Sequence, residues 1–199
     1  MKNVSNPEFW DQRYADNNTK WDLGGPTPIL SHYLQTNHIS GKVCVLGCGN
    51  GHDAIEFSNY DLSVYAVDFS IHAINNLKKN LNNKSINLLH RDIFTLSKDY
   101  LDTFDTVFEY TCYCAIDPDR REDYFNMVHK ILKTGGKLLG IFIPLDKDVY
   151  NEDGPPFGVS VDEILTLVDG KFKILENTFS DLSIEKRAGR EKWMVLEKI

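Results

Sequence analysis

Lys42-Val-Cys-Val-Leu-Gly-Cys-Gly-Asn-Gly-His-Asp53 is followed, after one short segment, by Ser63-Val-Tyr-Ala-Val-Asp68. Each half begins as an apolar run rich in β-branched residues and ends in residues suited to holding a ligand. Together they predict strand, glycine loop, helix, strand and carboxylate. Gly47, Gly49 and Gly51 let the backbone turn sharply and approach a ligand with no Cβ in the way. Asp68 follows Gly47 by about 20 residues, where a doubly wound sheet places an acidic side chain that accepts hydrogen bonds from both hydroxyls of a ribose. This is the outline of a nucleotide-type cofactor site.

The alternation continues beyond this unit. Ala54 to Asn59 predicts a helix starting on the glycine loop, and Ser70 to Leu81 a second with Ser70 as N-cap. Ile86 to Arg91 and Phe104 to Tyr110 read as strands. Asp119 to Leu132 is helical by the spacing of Tyr124, Met127, Val128, Ile131 and Leu132, with Gly135-Gly136 ending it before a strand over Lys137 to Ile143. Repetition of this kind implies a largely parallel sheet covered by helices on both faces. The end differs: after a helix over Val161 to Leu167, Phe172 to Leu182 and Trp193 to Ile199 are strands with no helix between them, so they pair antiparallel. The fold class expected is therefore α/β.

Residues 5 to 35 precede the first clear strand and carry Phe9, Trp10, Tyr14, Trp21 and Tyr33, interrupted by Gly24-Gly25-Pro26-Thr27-Pro28. Asn6-Pro7 caps and starts a short helix through Tyr14. Two readings are open: a helix packing its aromatics on the sheet, or a lid with Trp10 and Trp21 as apolar walls over the ligand.

The 199 residues suit one domain that buries roughly 70% of its unfolded surface. The net charge of -7 argues against a phosphate-tracking groove and so against nucleic acid as a partner. Met1-Lys-Asn-Val-Ser-Asn-Pro-Glu8 has no apolar signal core, and no run approaches the ~20 residues of a membrane span, which leads to the expectation of a soluble cytoplasmic protein without a membrane partner. Cys44, Cys48, Cys112 and Cys114 are then reduced thiols. Neither pair is a Cys-x-x-Cys, and no metal site is expected.

A nicotinamide loop would carry a third glycine where this chain has His52. Gly-x-Gly-x-Gly followed by a bulky polar residue instead resembles the loop of S-adenosylmethionine-dependent methyltransferases, whose seven-stranded sheet ends in an antiparallel pair. Val45, where most such enzymes have an acidic residue, narrows the resemblance. Val45-Leu-Gly-Cys-Gly-Asn-Gly-His-Asp53 is similar to the thiopurine methyltransferase superfamily, and especially to its thiol, halide and thiocyanate methyltransferases. Phe9-Trp10-Asp-Gln-Arg13 with Trp21, Glu109-Tyr-Thr-Cys-Tyr-Cys-Ala-Ile-Asp-Pro118, Gly154-Pro-Pro-Phe-Gly-Val-Ser160 and Arg187-Ala-Gly-Arg-Glu191 agree with that branch in the same order. The resemblance implies a single class I, Rossmann-like methyltransferase domain over 1–199, with residues 1–40 as an aromatic lid segment and 41–199 as the core.

It further implies S-adenosylmethionine as cofactor and S-adenosylhomocysteine as product. Trp10 and Trp21 match aromatics that enclose the cofactor. Gly47, Gly49 and Asp53 match its loop, Asp68 and Phe69 the ribose end, Asp92 and Ile93 the adenine edge, and Glu109 and Thr111 the tip of the fourth strand. Read alone, Asp92 is as well an N-cap or solvent-facing residue. Related thiopurine enzymes carry an arginine near the position of Thr111, and its absence here fits the small-nucleophile branch.

Hydrosulfide, small thiols, iodide and thiocyanate need little help losing a proton, so no strong base is required, and none is evident. The candidate acceptor pocket comprises Tyr113, Asp117 and Arg187 with Pro144, Pro155, Pro156 and Phe157. Tyr113 could donate to an incoming anion. Arg187 could attract it, or form an ordinary ion pair with Glu185 or Glu191. The expected protein is a monomeric methyltransferase for a small thiol, hydrosulfide, halide or thiocyanate. The alternatives are a same-fold enzyme with a larger oxygen or nitrogen acceptor, and a non-catalytic cofactor-binding module.

Overall fold

The computed structural model describes residues 4–145 and 154–199; Met1-Lys-Asn3, with which the leader reading begins, lies outside the described residues. Seven strands form one sheet: β1 (Gly41–Leu46), β2 (Leu62–Asp68), β3 (Asn87–His90), β4 (Phe104–Tyr110), β5 (Leu132–Phe142), β6 (Phe172–Thr178) and β7 (Lys192–Lys198). Their order is β3-β2-β1-β4-β5-β7-β6. The first five strands run parallel, and β7 inserts between β5 and β6 antiparallel to both. This is the expected class I methyltransferase architecture.

In β1, Val43 and Val45 point to one face while Cys44 and Leu46 point to the other, and all four are buried. A strand covered on both faces explains why the sequence reads there as a continuous apolar run. On the first face lie α2 (Pro28–Thr36) and α3 (His52–Phe57), through Leu30, Tyr33 and Phe57, with Leu77 of α4 (Ile71–Asn80). On the second lie α5 (Arg121–Ile131) and α6 (Val161–Val168), through Tyr124, Phe125, Val128 and Ile164. Ahead of the sheet, α1 (Pro7–Ala15) begins as expected with Asn6 accepting from the Glu8 amide and Pro7 in the first turn.

Three boundaries differ from the sequence reading. The helix α5 stops at Ile131, before the glycine pair, because the amides of Asp102 and Thr103 take the carbonyls of Lys130 and Ile131. Gly135 and Gly136 lie within β5 instead, at an irregularity where its register against β4 jumps between Phe104 and Thr106. At the far edge, β6 ends at Thr178, opposite Trp193, and Phe179 and Leu182 are exposed beyond the pairing. The helix α2 was not anticipated, although Thr27-Pro28 ahead of Ile29, Leu30, Tyr33 and Leu34 is a legible helix start with a buried stripe.

The chain leaves β1 toward β2 on one side and returns to β4 on the other, so the crevice beyond their carboxyl ends is a topological switch point, where open α/β sheets bind ligands. The loop there rests on Gly51, which caps α3 at φ 86°; a Cβ on it would lie 2.1 Å from Cδ1 of the fully buried Leu77. Gly51→Ala combines left-handed strain with overpacking and should cost about 2–4 kcal/mol in urea-induced unfolding. A loss below 0.5 kcal/mol would show that the loop yields freely.

Candidate active site

A cavity of about 840 Å3 opens over the switch point. Gly47, Asp68, Phe69, Asp92, Ile93 and Thr111 line it from the strand tips; Trp10, Tyr14 and Trp21 line it from the amino-terminal segment; Asp117, Pro144, Pro155, Pro156 and Arg187 complete it. Trp21 stands edge-on to Trp10 at 5.8 Å and to Tyr14 at 5.7 Å. Trp10, Tyr14 and Trp21 thus cluster at the cavity, whereas Tyr33 packs on the sheet against Trp193 at 5.2 Å.

Asp68 is 8% exposed, with Oδ2 accepting from the Gly49 amide and Oδ1 from the Ser70 amide, both at 2.8 Å. A carboxylate has about four lone-pair sites, so acceptor capacity remains for a ligand in the cavity that it lines. Burial pushes its pKa up to about 6 against the pull of these amides. Gly47 and Gly49 sit at φ 56° and 54°, and a Cβ on either would lie 3.0 Å from the Cys112 sulfur or the Tyr14 hydroxyl, respectively. Both contacts are tighter than ordinary van der Waals distance, and both φ values strain an L side chain. Asp92 caps a 3-10 turn over Ile93–Lys98, accepting from the Phe94 amide at 2.9 Å, and also lines the cavity. Large volume, an ionisable carboxylate with open lone pairs and glycine floors fit a nucleoside-bearing cofactor.

Three assignments need correction. Tyr113 is fully buried and faces away from the cavity, packing on Tyr124, Phe125 and Phe142 with ring centroids 5.4 Å apart. The turn after β4 sends Cys112 and Cys114 into the cavity and the residue between them into the core. Thr111 starts this turn at φ 61°, a strained value for a β-branched residue and one that strand alternation does not foresee. Glu109 is 1% exposed and does not line the cavity; it holds the turn from beneath, accepting the Tyr113 amide at 2.8 Å, and burial pushes its pKa up to about 8. Asp53 does not line this cavity; its Oδ1 accepts from the Thr27 amide of the amino-terminal segment at 2.8 Å, and burial pushes it up to about 7.

Arg187 lines the cavity, and among the described residues it does not form the ion pair with Glu185 or Glu191. Its guanidinium donates to the Tyr110 hydroxyl and to the Trp21 carbonyl, and it reaches Glu191 only through Tyr110, whose hydroxyl lies 3.1 Å from Oε2 of Glu191. Phe157 lies behind the proline wall, its ring against Gly154 and its amide donating to the Cys114 carbonyl. Sequence reasoning missed Asp22, which accepts from Asn50 and lies 3.1 Å from His52, so that the amino-terminal segment is tied to the glycine loop. It also missed Arg120, stacked 3.5 Å over Phe94 at the cavity edge. The polar residue in place of the third glycine was the only available sign of the first. Among the described residues no group of three or more His, Cys, Asp or Glu is placed to hold a metal ion, and no helix is long and apolar enough to cross a membrane.

Two pH dependences follow, of opposite sign. Asp68 must be ionised to accept two hydroxyls. Cofactor binding measured by calorimetry should therefore weaken as pH falls through about 6, while Asp68→Ala should cost ~1.5–3 kcal/mol at neutral pH and flatten the profile. Folding responds the other way. Glu109 binds its proton more tightly folded than unfolded, so its contribution is fully present below the ordinary carboxylate range and lost as pH rises through about 8. Glu109→Gln keeps an acceptor for the Tyr113 amide, and its unfolding free energy should fall less than the wild type's between those limits.

Known proteins share this sequence pattern and fold. Residues 5–198 match the family model for thiopurine S-methyltransferase. A probable thiol methyltransferase 2 of Arabidopsis thaliana is 32% identical over 92% of this chain and 81% of its own length. Thiocyanate methyltransferase 1 of Brassica oleracea is 29% identical over the same shares. Among solved structures, the Burkholderia thailandensis 1,6-didemethyltoxoflavin-N1-methyltransferase with bound S-adenosylhomocysteine superposes with a TM-score of 0.76 at 17% identity, over 98% of this chain and 87% of that one. Sheet order, cavity and family match converge: the chain belongs to the thiopurine S-methyltransferase family of S-adenosylmethionine-dependent enzymes.

Proposed function

We propose that this methyltransferase acts on a small soft nucleophile: hydrosulfide, an organic thiol, thiocyanate or a halide. The observation that carries the reading is the chemistry of the cavity wall formed by the turn after β4 and the proline segments. Cys112, Cys114, Ile116, Ile143 and prolines 144, 155 and 156 present sulfur and hydrocarbon, and no described residue lining the cavity is a histidine. The two thiols are buried and protonated, burial pushing that of Cys114 up to about 12. The Cys114 thiol already donates to the Thr111 carbonyl at 3.5 Å, and neither thiol is itself a base. The similarity to thiol and thiocyanate methyltransferases supports the same class of acceptor.

When bound, S-adenosylmethionine supplies an electrophilic methyl group on a sulfonium; the remaining tasks fall to the chain. Asp68 accepts the ribose hydroxyls, and Asp92 with the Ile93 amide meets the adenine edge. Gly47 and Gly49 let the backbone approach. Trp10, Tyr14 and Trp21 exclude water, and Thr111 with the cysteine turn sets where the acceptor stands. In-line displacement needs nucleophile and methyl carbon about 3 to 3.5 Å apart in a dry pocket; hydrosulfide, thiocyanate and halide lose no proton in it, and a thiol reacts as the thiolate that has already given its proton to water.

Incubation of the enzyme with methyl-labelled cofactor and, in turn, sulfide, thiocyanate, iodide and a small thiol should release label as a volatile product with at least one of them. Label appearing only in non-volatile oxygen or nitrogen adducts would overturn this reading.

A further inference from the structure

Arg121 is buried at the start of α5, outside the cavity, and its contacts all lead to the walls of the acceptor pocket. Nη2 donates to the Gly158 carbonyl at 2.7 Å, two residues after the cavity-lining Pro156. Nη1 donates to Oε2 of Glu163 at 2.7 Å. Its guanidinium carbon stands 4.9 Å from the centre of the Tyr113 ring, the core anchor of the turn that carries Cys112 and Cys114. Thus one planar cation grips the proline segment with a hydrogen bond and the opposing turn through an aromatic face. A lysine has a single point of charge and cannot reproduce both hydrogen bonds with that stacking.

The neighbouring contacts give Arg121 leverage. The two walls already meet through the Phe157 amide on the Cys114 carbonyl, while the Val159 amide on the Pro144 carbonyl ties the two proline segments to each other. Ser160 caps α6 by accepting from the Glu163 amide, in the Ser-x-x-Glu pattern whose glutamate ordinarily reaches back to the cap. Here that carboxylate pairs with Arg121, fixing the start of α6 and hence the end of the proline segment. No other side chain among the described residues is hydrogen-bonded to the Gly158 carbonyl.

We propose that Arg121 is the positioning residue that sets the gap between the proline wall and the cysteine turn, and so the size of acceptor admitted. The proposal rests on the acceptor class given above, but its first readout is independent of turnover. In Arg121→Lys, mass-spectrometric mapping of maleimide labelling should show Cys112 and Cys114 modified roughly tenfold faster than in wild type, as expected when one charge-assisted hydrogen bond to a wall is lost. Cys44, fully buried in β1, should remain protected and thereby report an intact sheet. In the same variant the ratio of kcat/KM for a bulky thiol over that for iodide should rise, with the cofactor Kd unchanged.

Unchanged labelling of Cys112 and Cys114, or labelling of Cys44 in parallel with them, overturns the proposal. Should Arg121→Lys fail to fold, Glu163→Gln decides: it leaves the arginine in place with a neutral partner and should accelerate the same two cysteines to a smaller extent, and no acceleration is equally fatal. Wild-type enzyme that yields no volatile product fails the acceptor reading alone, since the labelling comparison still stands or falls by itself.

Discussion

A buried carboxylate that two backbone amides need is the constraint on which this site depends. Asp68 ends β2, yet it accepts from Gly49, in the loop after β1, and from Ser70, which starts α4. Ser70 in turn caps its helix through the Ala73 amide and donates to Asp11 of α1 at 2.5 Å. Three segments therefore converge on one side chain, and the glycine loop is held at the height where a ligand meets both its backbone and the carboxylate. Placing that group out of water opposes its ionisation, which is why its pKa lies near 6. The Gly49 and Ser70 amides offset part of that cost.

The sheet, the cofactor loop and the carboxylates at successive strand tips were legible in the sequence because each is a local pattern: an apolar run, a glycine spacing, an acid at a strand end. What lies just past a strand end was not legible. Thr111 turns into the left-handed region, and from there inward and outward positions no longer alternate. Tyr113 accordingly falls into the core although it adjoins the motif and carries a hydroxyl well suited to an anion. Glu109 and Asp53 show a related ambiguity. A carboxylate beside a ligand loop serves equally to hold the loop, and only the partner amide, from Tyr113 or Thr27, tells the two uses apart.

The cover over the cavity combines two kinds of contact. Its inner surface is aromatic, and its outer attachments are polar: Asp22 to the glycine loop, Thr27 to Asp53, and the Trp21 carbonyl to Arg187. These ties join positions far apart in the chain, which is why no sequence window contained them. They also fix the cover to both ends of the protein, since Arg187 belongs to the connection between β6 and β7 and Asp53 to the first βα unit. Apolar contact sets what the cover excludes, while the hydrogen bonds set where it sits.

The insertion of β7 between β5 and β6 governs the order in which the protein can be assembled. During synthesis β6 emerges before β7, yet its place in the sheet lies beyond it. Until β7 has been made, β5 presents an unpaired edge and β6 has no partner, so the nascent chain carries two open strand edges at once. Arg187, which fastens the cover, lies in the stretch between those strands. The ribosome thus delivers the cofactor loop early and the last fastening of its cover late, and a chain arrested before β6 and Arg187 have been made would hold a formed floor and a cover tied only to the first βα unit.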